Sequence, residues 1–84
     1  MGLIKNAKTD TLGGLARKAR EAGQTTFAAM LNYPATQPDL SGEINDWSVM
    51  VEAVEAEGWQ LVNWTVGQDK KGRPQAFPVF RRLP

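Results

Sequence analysis

Apolar residues recur at helical spacing early in the chain, from a capping residue, Thr9 or Asp10, to about Ala22. The stripe they form contains Leu12, Leu15, Ala16 and Ala19. Gly13 and Gly14 interrupt this stretch, and each costs about 1 kcal/mol relative to Ala in a helix interior. The pattern therefore predicts a short N-terminal helix that depends on packing for its stability.

A second and clearer helical period runs from Glu43 or Asn45 to Glu57, with Gly58 where a C-terminal cap belongs. Its wide apolar stripe contains Ile44, Trp47, Met50, Val51 and Val54. The side nearly opposite that stripe carries a small apolar seam of Val49, Ala53 and Ala56. A surface helix usually carries charge on its outer side, so the seam indicates that something covers this helix from behind.

Alternation with a period of two predicts strands at residues 25–33, 59–66 and 75–82. The middle strand is apolar on both faces. Its pattern assigns Trp59 and Leu61 to one face and Val62, Trp64 and Val66 to the other. In the last strand Pro78 cannot donate to a ladder, which predicts a free edge or a bulge there.

These elements predict one α+β domain over residues 1–84, with the order α-β-α-β-β. Residues 25–84 form the β-α-β-β core, and residues 1–24 form an N-terminal helical extension. One main helix packs on a small three-stranded antiparallel sheet whose last two strands form a hairpin. Since one helix cannot cover both faces of that sheet, the face bearing Trp64 or Trp59 needs the N-terminal helix or another molecule.

From about Thr26 onward the chain resembles a family of short bacterial domains, domain of unknown function 4177 and its actinobacterial relatives. The resemblance rests on the segment Glu57-Gly58-Trp59-Gln60-Leu61-Val62 and on the closing Phe80-Arg81-Arg82. It implies a strand, a helix ending in Glu-Gly-Trp-x-Leu, and a hairpin closing on a basic residue. The chain departs from the pattern in its proline-containing loop and its N-terminal helix. The family has no assigned activity, so the resemblance bears on the fold alone.

Size and composition favour association with a partner. A chain of 84 residues buries only roughly 60–65% of its unfolded surface, and without cysteine no disulfide can compensate. Oligomerisation is a common support for such thin cores. The absence of cysteine also favours a reducing, cytoplasmic setting. No apolar segment approaches the roughly 20 residues needed to cross a bilayer, so no membrane partner is expected.

Charge is distributed unevenly around a net value of +1. Residues 1–34 hold five cations and two carboxylates, giving +3. Residues 35–58 hold six carboxylates and no cation, giving −6, and residues 59–84 hold five cations and one carboxylate, giving +4. The sequence thus predicts an acidic centre between basic ends.

The residue types argue against an enzyme. Without histidine or cysteine the chain lacks the commonest general base, the commonest nucleophile pair and the usual zinc ligands. Glu52 and Glu55 lie three residues apart on the second helix, on a side that we expect to face solvent. Gly13-Gly14 lacks the lysine and the strand context of a phosphate loop. We therefore expect no cofactor, no metal and no small-molecule substrate.

Nucleic-acid binding is an alternative supported by the basic C-terminal part. The candidate contact residues are Lys70, Lys71, Arg73, Arg81 and Arg82. Cations within reach of phosphates and aromatic rings such as Trp64, Tyr33 or Phe77 suit single-stranded nucleic acid. The acidic centre argues against a protein dedicated to this task.

Protein association is the function that the sequence favours, as a homodimer or as a small subunit of a larger assembly. The thin core, the apolar seam and the doubly apolar middle strand all indicate it. The candidate contact residues are Val49, Ala53, Ala56 and Trp64. A two-fold dimer would also bring the basic ends of one subunit to the acidic helix of the other. The alternative left open is a monomer whose N-terminal helix folds back over the seam.

Overall fold

The computed structural model describes residues 7–84, with side chains from Thr11 onward, and has an α+β fold. Its elements are α1 (Ala7–Glu21), β1 (Thr26–Ala28), β2 (Leu31–Asn32), α2 (Asn45–Glu55), β3 (Trp59–Gln68) and β4 (Pro74–Arg82). The α+β class and the predicted places of the two helices and of the last two strands are confirmed, although α1, with 15 residues, is longer than the 11-residue α2. Predictions that concern residues 1–6 lie outside the described part of the chain.

β4 is the central strand of the sheet and pairs antiparallel with all the others. β1 and β2 lie on one side of it in a single register, because Thr26 pairs with Arg81 and Leu31 with Ala76. They occupy the one strand that the sequence predicts, divided at Ala29–Met30, so the sheet has four strands rather than three.

Pro78 explains this division. The amide of Ala29 donates to the carbonyl of Pro78 at 3.0 Å, and the reciprocal bond cannot form because proline has no N–H. The free edge predicted at Pro78 is wrong, since β4 is paired on both sides. The sheet instead has a gap in one ladder opposite Pro78 and a bulge in the other ladder, in β3 between Leu61 and Asn63.

The bulge changes which side chains share a face. Residues that pair directly across an antiparallel ladder point to the same side. Leu61 pairs with the buried Phe80 and, beyond the bulge, Trp64 pairs with the buried Pro78. Trp64 and Val66 therefore lie on the same face as Trp59. The two-face assignment predicted from strict alternation is wrong, because one extra residue in the strand shifts its phase.

Both helices lie on this same face and form the core with it. One cluster joins α1 to the sheet and to α2 through Ala16, Ala19, Phe27, Val54, Trp59 and Phe80. The other consists of Leu31, Trp47, Met50 and Ala76. Trp59 is 1% exposed, and its indole Nε1 donates to the carbonyl of Ala16 in α1 at 3.0 Å. α1 thus covers the tryptophan face, and the opposite face of the sheet is the one that neither helix covers.

Two further contacts fix the junction between the helices and β3. Gly58, directly before β3, has a φ of 89°, a left-handed conformation that favours glycine. The carboxylate of Glu57 lies 3.5 Å from Nε of Arg17 and 3.7 Å from a guanidinium nitrogen of Arg20. These ion pairs hold the end of α2 against α1 at the surface.

Candidate interaction surface

The predicted seam on α2 is partly covered by the chain's own α1. Gly13 lies against Ala53: a Cβ built on Gly13 would be 3.5 Å from the carbonyl oxygen of Ala53 and 3.7 Å from its Cβ. Val49 is half-buried, whereas Ala56 is exposed. Small residues on both helices let their backbones approach closely, so at least Ala53 is occupied within the protomer.

Trp64 belongs to a different surface from the seam. Its ring packs edge-on against Trp47 with the ring centroids 5.5 Å apart, and Tyr33 packs on Trp47 at 5.8 Å. The indole Nε1 of Trp47 donates to the carbonyl of Asn32 at 2.9 Å, which fixes the orientation of that ring. Trp64 remains 38% exposed. It therefore extends an aromatic row from the core to the edge of the sheet.

That edge is the outer side of β3. The amide of Asp69 bonds the carbonyl of Arg73 at 2.8 Å, and hydrogen-bonded pairs alternate along an antiparallel ladder. Thr65 consequently bonds to β4, whereas the backbone N–H and C=O groups of Trp64 and Val66 point away from it. No other strand of residues 7–84 lies beside them.

The residues of β3 make this edge unusual. Its ten residues include no charged side chain and no proline, two of the devices that prevent edge strands from pairing. A third device, a bulge, is present between Leu61 and Asn63 and leaves the edge from Trp64 onward regular. Val62 and Val66 are 53% and 57% exposed. Both were placed on this strand by the sequence but not among the candidate contacts. A strand in which valine and tryptophan recur without a charge or a proline is the signal that could have identified them.

The opposite edge of the sheet is better protected. β1 and β2 are short and separated. At each end of this edge a side chain donates a hydrogen bond to a backbone carbonyl that would otherwise be free to accept one from another strand. Gln24 donates to the carbonyl of Thr26 at 3.2 Å, and Trp47 donates to that of Asn32. An edge with fewer free acceptors is a weaker template for another strand.

A groove runs between α2 and the edge of β3. Its floor is apolar and includes Ile44, Trp47, Val51 and Trp64. Glu52 and Glu55, which project from the exposed side of the helix as expected, lie along the same groove. The apolar edge therefore has carboxylates beside it.

The basic residues form two groups at opposite ends of β4. Lys70, Lys71 and Arg73 are exposed in the turn between β3 and β4, and Arg81 and Arg82 are exposed at the far end of β4. From Arg73 to Arg81 the extended strand spans about 27 Å. The five candidate cations therefore do not form one patch.

Asp69 organises the turn. Its carboxylate accepts hydrogen bonds from the amides of Lys71 and Arg73 at 2.8 and 2.9 Å, and from Nε of Arg73 at 2.8 Å. The amide of Arg73 is the largest of the influences that hold the pKa of Asp69 below its ordinary value. Lys70 and Lys71 are left free to contact a partner, whereas Arg73 also maintains the turn.

The face of the sheet away from the helices carries Phe77 and Val79, both half-buried, and the exposed Met30. A Cβ on Gly67 would lie 3.2 Å from the ring of Phe77, so this ring lies over the glycine backbone. Arg81 on the same face donates to the hydroxyl of Thr26 at 2.8 Å. None of β1–β4 contains a carboxylate.

Within residues 11–84, no charged or polar side chain is buried, and no group of three His, Cys, Asp or Glu residues could hold a metal ion. No helix in the described part of the chain combines the length and the apolar character needed to span a bilayer. Comparison with family models, with curated proteins and with solved structures finds no match.

Proposed function

We propose that this chain is a non-catalytic protein-interaction module, acting as a homodimer or as a small subunit of a larger assembly. The observation that supports this most strongly is the outer edge of β3. It offers backbone donors and acceptors beside exposed Val62, Trp64 and Val66, without a charge or a proline to discourage pairing. Addition of a strand to such an edge is a common mode of protein recognition.

The contact surface proposed from the structure differs from the seam named from the sequence. Trp64 is kept, and Val62 and Val66 join it. Ala53 is removed because Gly13 of the same chain lies against it. The absence of histidine and cysteine supports the non-catalytic part of the proposal, and the absence of cysteine also supports a cytoplasmic setting.

Site-specific photo-crosslinking tests this proposal whatever the partner. A photoreactive residue replaces Val66 in one variant and Leu15, which is 50% exposed on α1, in the control. After irradiation in the cells that encode the chain, we expect a discrete protein adduct from position 66 and none from position 15. If position 66 gives no adduct although the variant is folded, the proposal is wrong.

Single-stranded nucleic-acid binding is the second candidate, and the uncovered face of the sheet is the observation that favours it. Phe77 and Arg81 lie on a face whose strands contain no carboxylate, and Lys70 and Lys71 extend one of its ends. An aromatic ring flanked by cations suits a stacked base and its phosphates. Trp64 and Tyr33 no longer serve this reading, since both pack on Trp47 on the helix side.

A gel-shift assay at low salt with mixed-sequence single strands separates the two candidates. Nucleic-acid binding predicts a shift that salt abolishes and that both Phe77→Ala and Lys70→Glu/Lys71→Glu weaken. Lys18→Glu on α1 is the matched control for one charge reversal. Absence of any shift at low salt excludes this second candidate.

A further inference from the structure

The end of the β3 edge at the turn carries lysines, and the end at α2 carries carboxylates, with Arg81 and Arg82 one strand further in, on the central β4. Lys70 and Lys71 are exposed in the turn that follows the strand. Glu55 ends α2 shortly before the strand begins, and Glu52 lies one turn earlier; both line the groove beside Trp64. The neighbouring Glu57 is already engaged by Arg17 and Arg20. The carboxylates of Glu52 and Glu55, in the last turn of α2, are therefore available near the start of β3.

This polarity decides which strand would fit the edge. If two copies pair antiparallel along β3, the turn of one copy comes beside the start of β3 and the end of α2 in the other. Lysines then face carboxylates at both ends of the contact. Parallel pairing would instead bring two lysine-bearing turns together, which is unfavourable. Antiparallel pairing of identical strands is also what a two-fold axis generates, and two-fold dimers are the commonest assemblies.

The apolar side chains agree with the same arrangement. A two-fold axis perpendicular to the sheet keeps the helix face of both copies on one side. Trp64 and Val66 of one copy then lie beside their counterparts in the other, which extends the Trp47–Trp64 contact across the axis. Their exposed fractions, 38% and 57%, would fall on pairing. Burial of this apolar surface adds to the backbone hydrogen bonds.

We propose that the partner of the β3 edge is a second copy of this chain, paired antiparallel so that one continuous sheet runs through both copies. The proposal rests on the function proposed above and names the partner for that surface. Lys70 and Lys71 of each copy contact the region of Glu52 and Glu55 in the other. A chain with a different partner would not need the two ends of its own edge to be complementary.

The test is a charge exchange followed by sedimentation velocity. One variant carries Lys70→Glu/Lys71→Glu, and another carries Glu52→Lys/Glu55→Lys. Each variant alone places like charges together, and we expect each to weaken self-association about tenfold or more. An equimolar mixture restores complementarity at both ends, so a heterodimer with the wild-type affinity is expected. Lys18→Glu and Glu21→Lys on α1 are controls that should leave self-association unchanged.

The following results would overturn the proposal. A wild-type chain that sediments as a monomer at its highest soluble concentration has no second copy at this edge. Self-association that neither charge reversal alters uses another surface. Because crosslinking from position 66 detects any protein partner, an adduct of the wrong mass would reject the second copy and leave the proposed function standing. Val66→Lys places a charge on the edge itself, so we expect it to dissociate the two copies. A Val66→Lys variant that stays associated would contradict the proposal.

Discussion

Helix α1 crosses α2 at Gly13, which is buried. Replacement of a buried glycine usually destabilises a protein, but here we expect the opposite. Replacing Gly13 by alanine would place a methyl group 3.5 Å from the carbonyl oxygen of Ala53 and 3.7 Å from its Cβ. Both are ordinary van der Waals separations. Alanine is favoured over glycine in a helix interior by about 1 kcal/mol. We therefore expect Gly13→Ala to raise the free energy of unfolding rather than lower it.

Gly14 supplies the matched control, because a Cβ there would meet no atom within 4 Å. Gly14→Ala should gain the helix preference of about 1 kcal/mol alone. Gly13→Ala should gain as much and up to ~0.8 kcal/mol more from the buried methyl group. Each 1 kcal/mol corresponds to a rise of roughly 4–8 °C in the unfolding midpoint of a domain of this size. Urea denaturation followed by tryptophan fluorescence measures the differences.

Substitution of leucine at Gly13 and at Gly14 tests whether α1 packs on α2 at Ala53. At Gly13 the larger side chain must separate the helices, and overpacking of this kind costs about 1–3 kcal/mol. At Gly14 leucine extends into open space, so Gly13→Leu should be the less stable of the two. Equal stability would mean that α1 does not pack on Ala53. The seam on α2 would then be available to a partner, as the sequence alone suggested.

Three other substitutions test the packing of the protomer. Gly58→Ala forces a left-handed conformation on alanine and should destabilise the fold by roughly 1–2 kcal/mol in thermal unfolding; no change would mean that this residue is free to rotate. Trp59→Phe loses the hydrogen bond to Ala16 and leaves a void, which should cost about 1–3 kcal/mol in urea denaturation, and a smaller loss would place α1 elsewhere. Asp69→Ala should destabilise the turn at neutral pH. Hydrogen bonds led by the amide of Arg73 lower the folded-state pKa of Asp69. The difference in unfolding free energy between variant and wild type should therefore be present above the ordinary aspartate pKa and disappear as pH falls through the lowered value. A difference that persists below that range would contradict this origin.

Local pattern was sufficient for the elements and for most of their faces. The period of two in residues 25–33 puts Phe27 and Leu31 on one face of the first strand, and both are buried. The stripe containing Trp47 and Val54 predicted the buried side of α2 in the same way. In each case the hydrophobic period coincides with a regular element, so the pattern and the geometry agree.

The sequence-based predictions were wrong where one residue shifts the alternation of a strand or makes a contact with a distant part of the chain. The bulge before Asn63 moves Trp64 to the face of Trp59, and nothing in the alternation of β3 marks the extra residue. Pro78 correctly indicated an irregularity in the sheet. Its position in the central strand could not be predicted, because local sequence does not show which strands pair. The contact of Gly13 with Ala53 joins residues forty positions apart, and only the folded chain shows that the seam is partly covered from within.

Pairing of β3 with another strand is central to the proposed assembly, and amide hydrogen exchange at single-residue resolution measures that pairing directly. The amides of Trp64 and Val66 point away from β4, whereas Thr65 between them bonds to it. We expect Trp64 and Val66 to exchange rapidly in dilute solution and slowly at high concentration, with Thr65 protected in both. Rapid exchange of Trp64 and Val66 in a sample that is associated would contradict the account, because the copies would then meet through another surface.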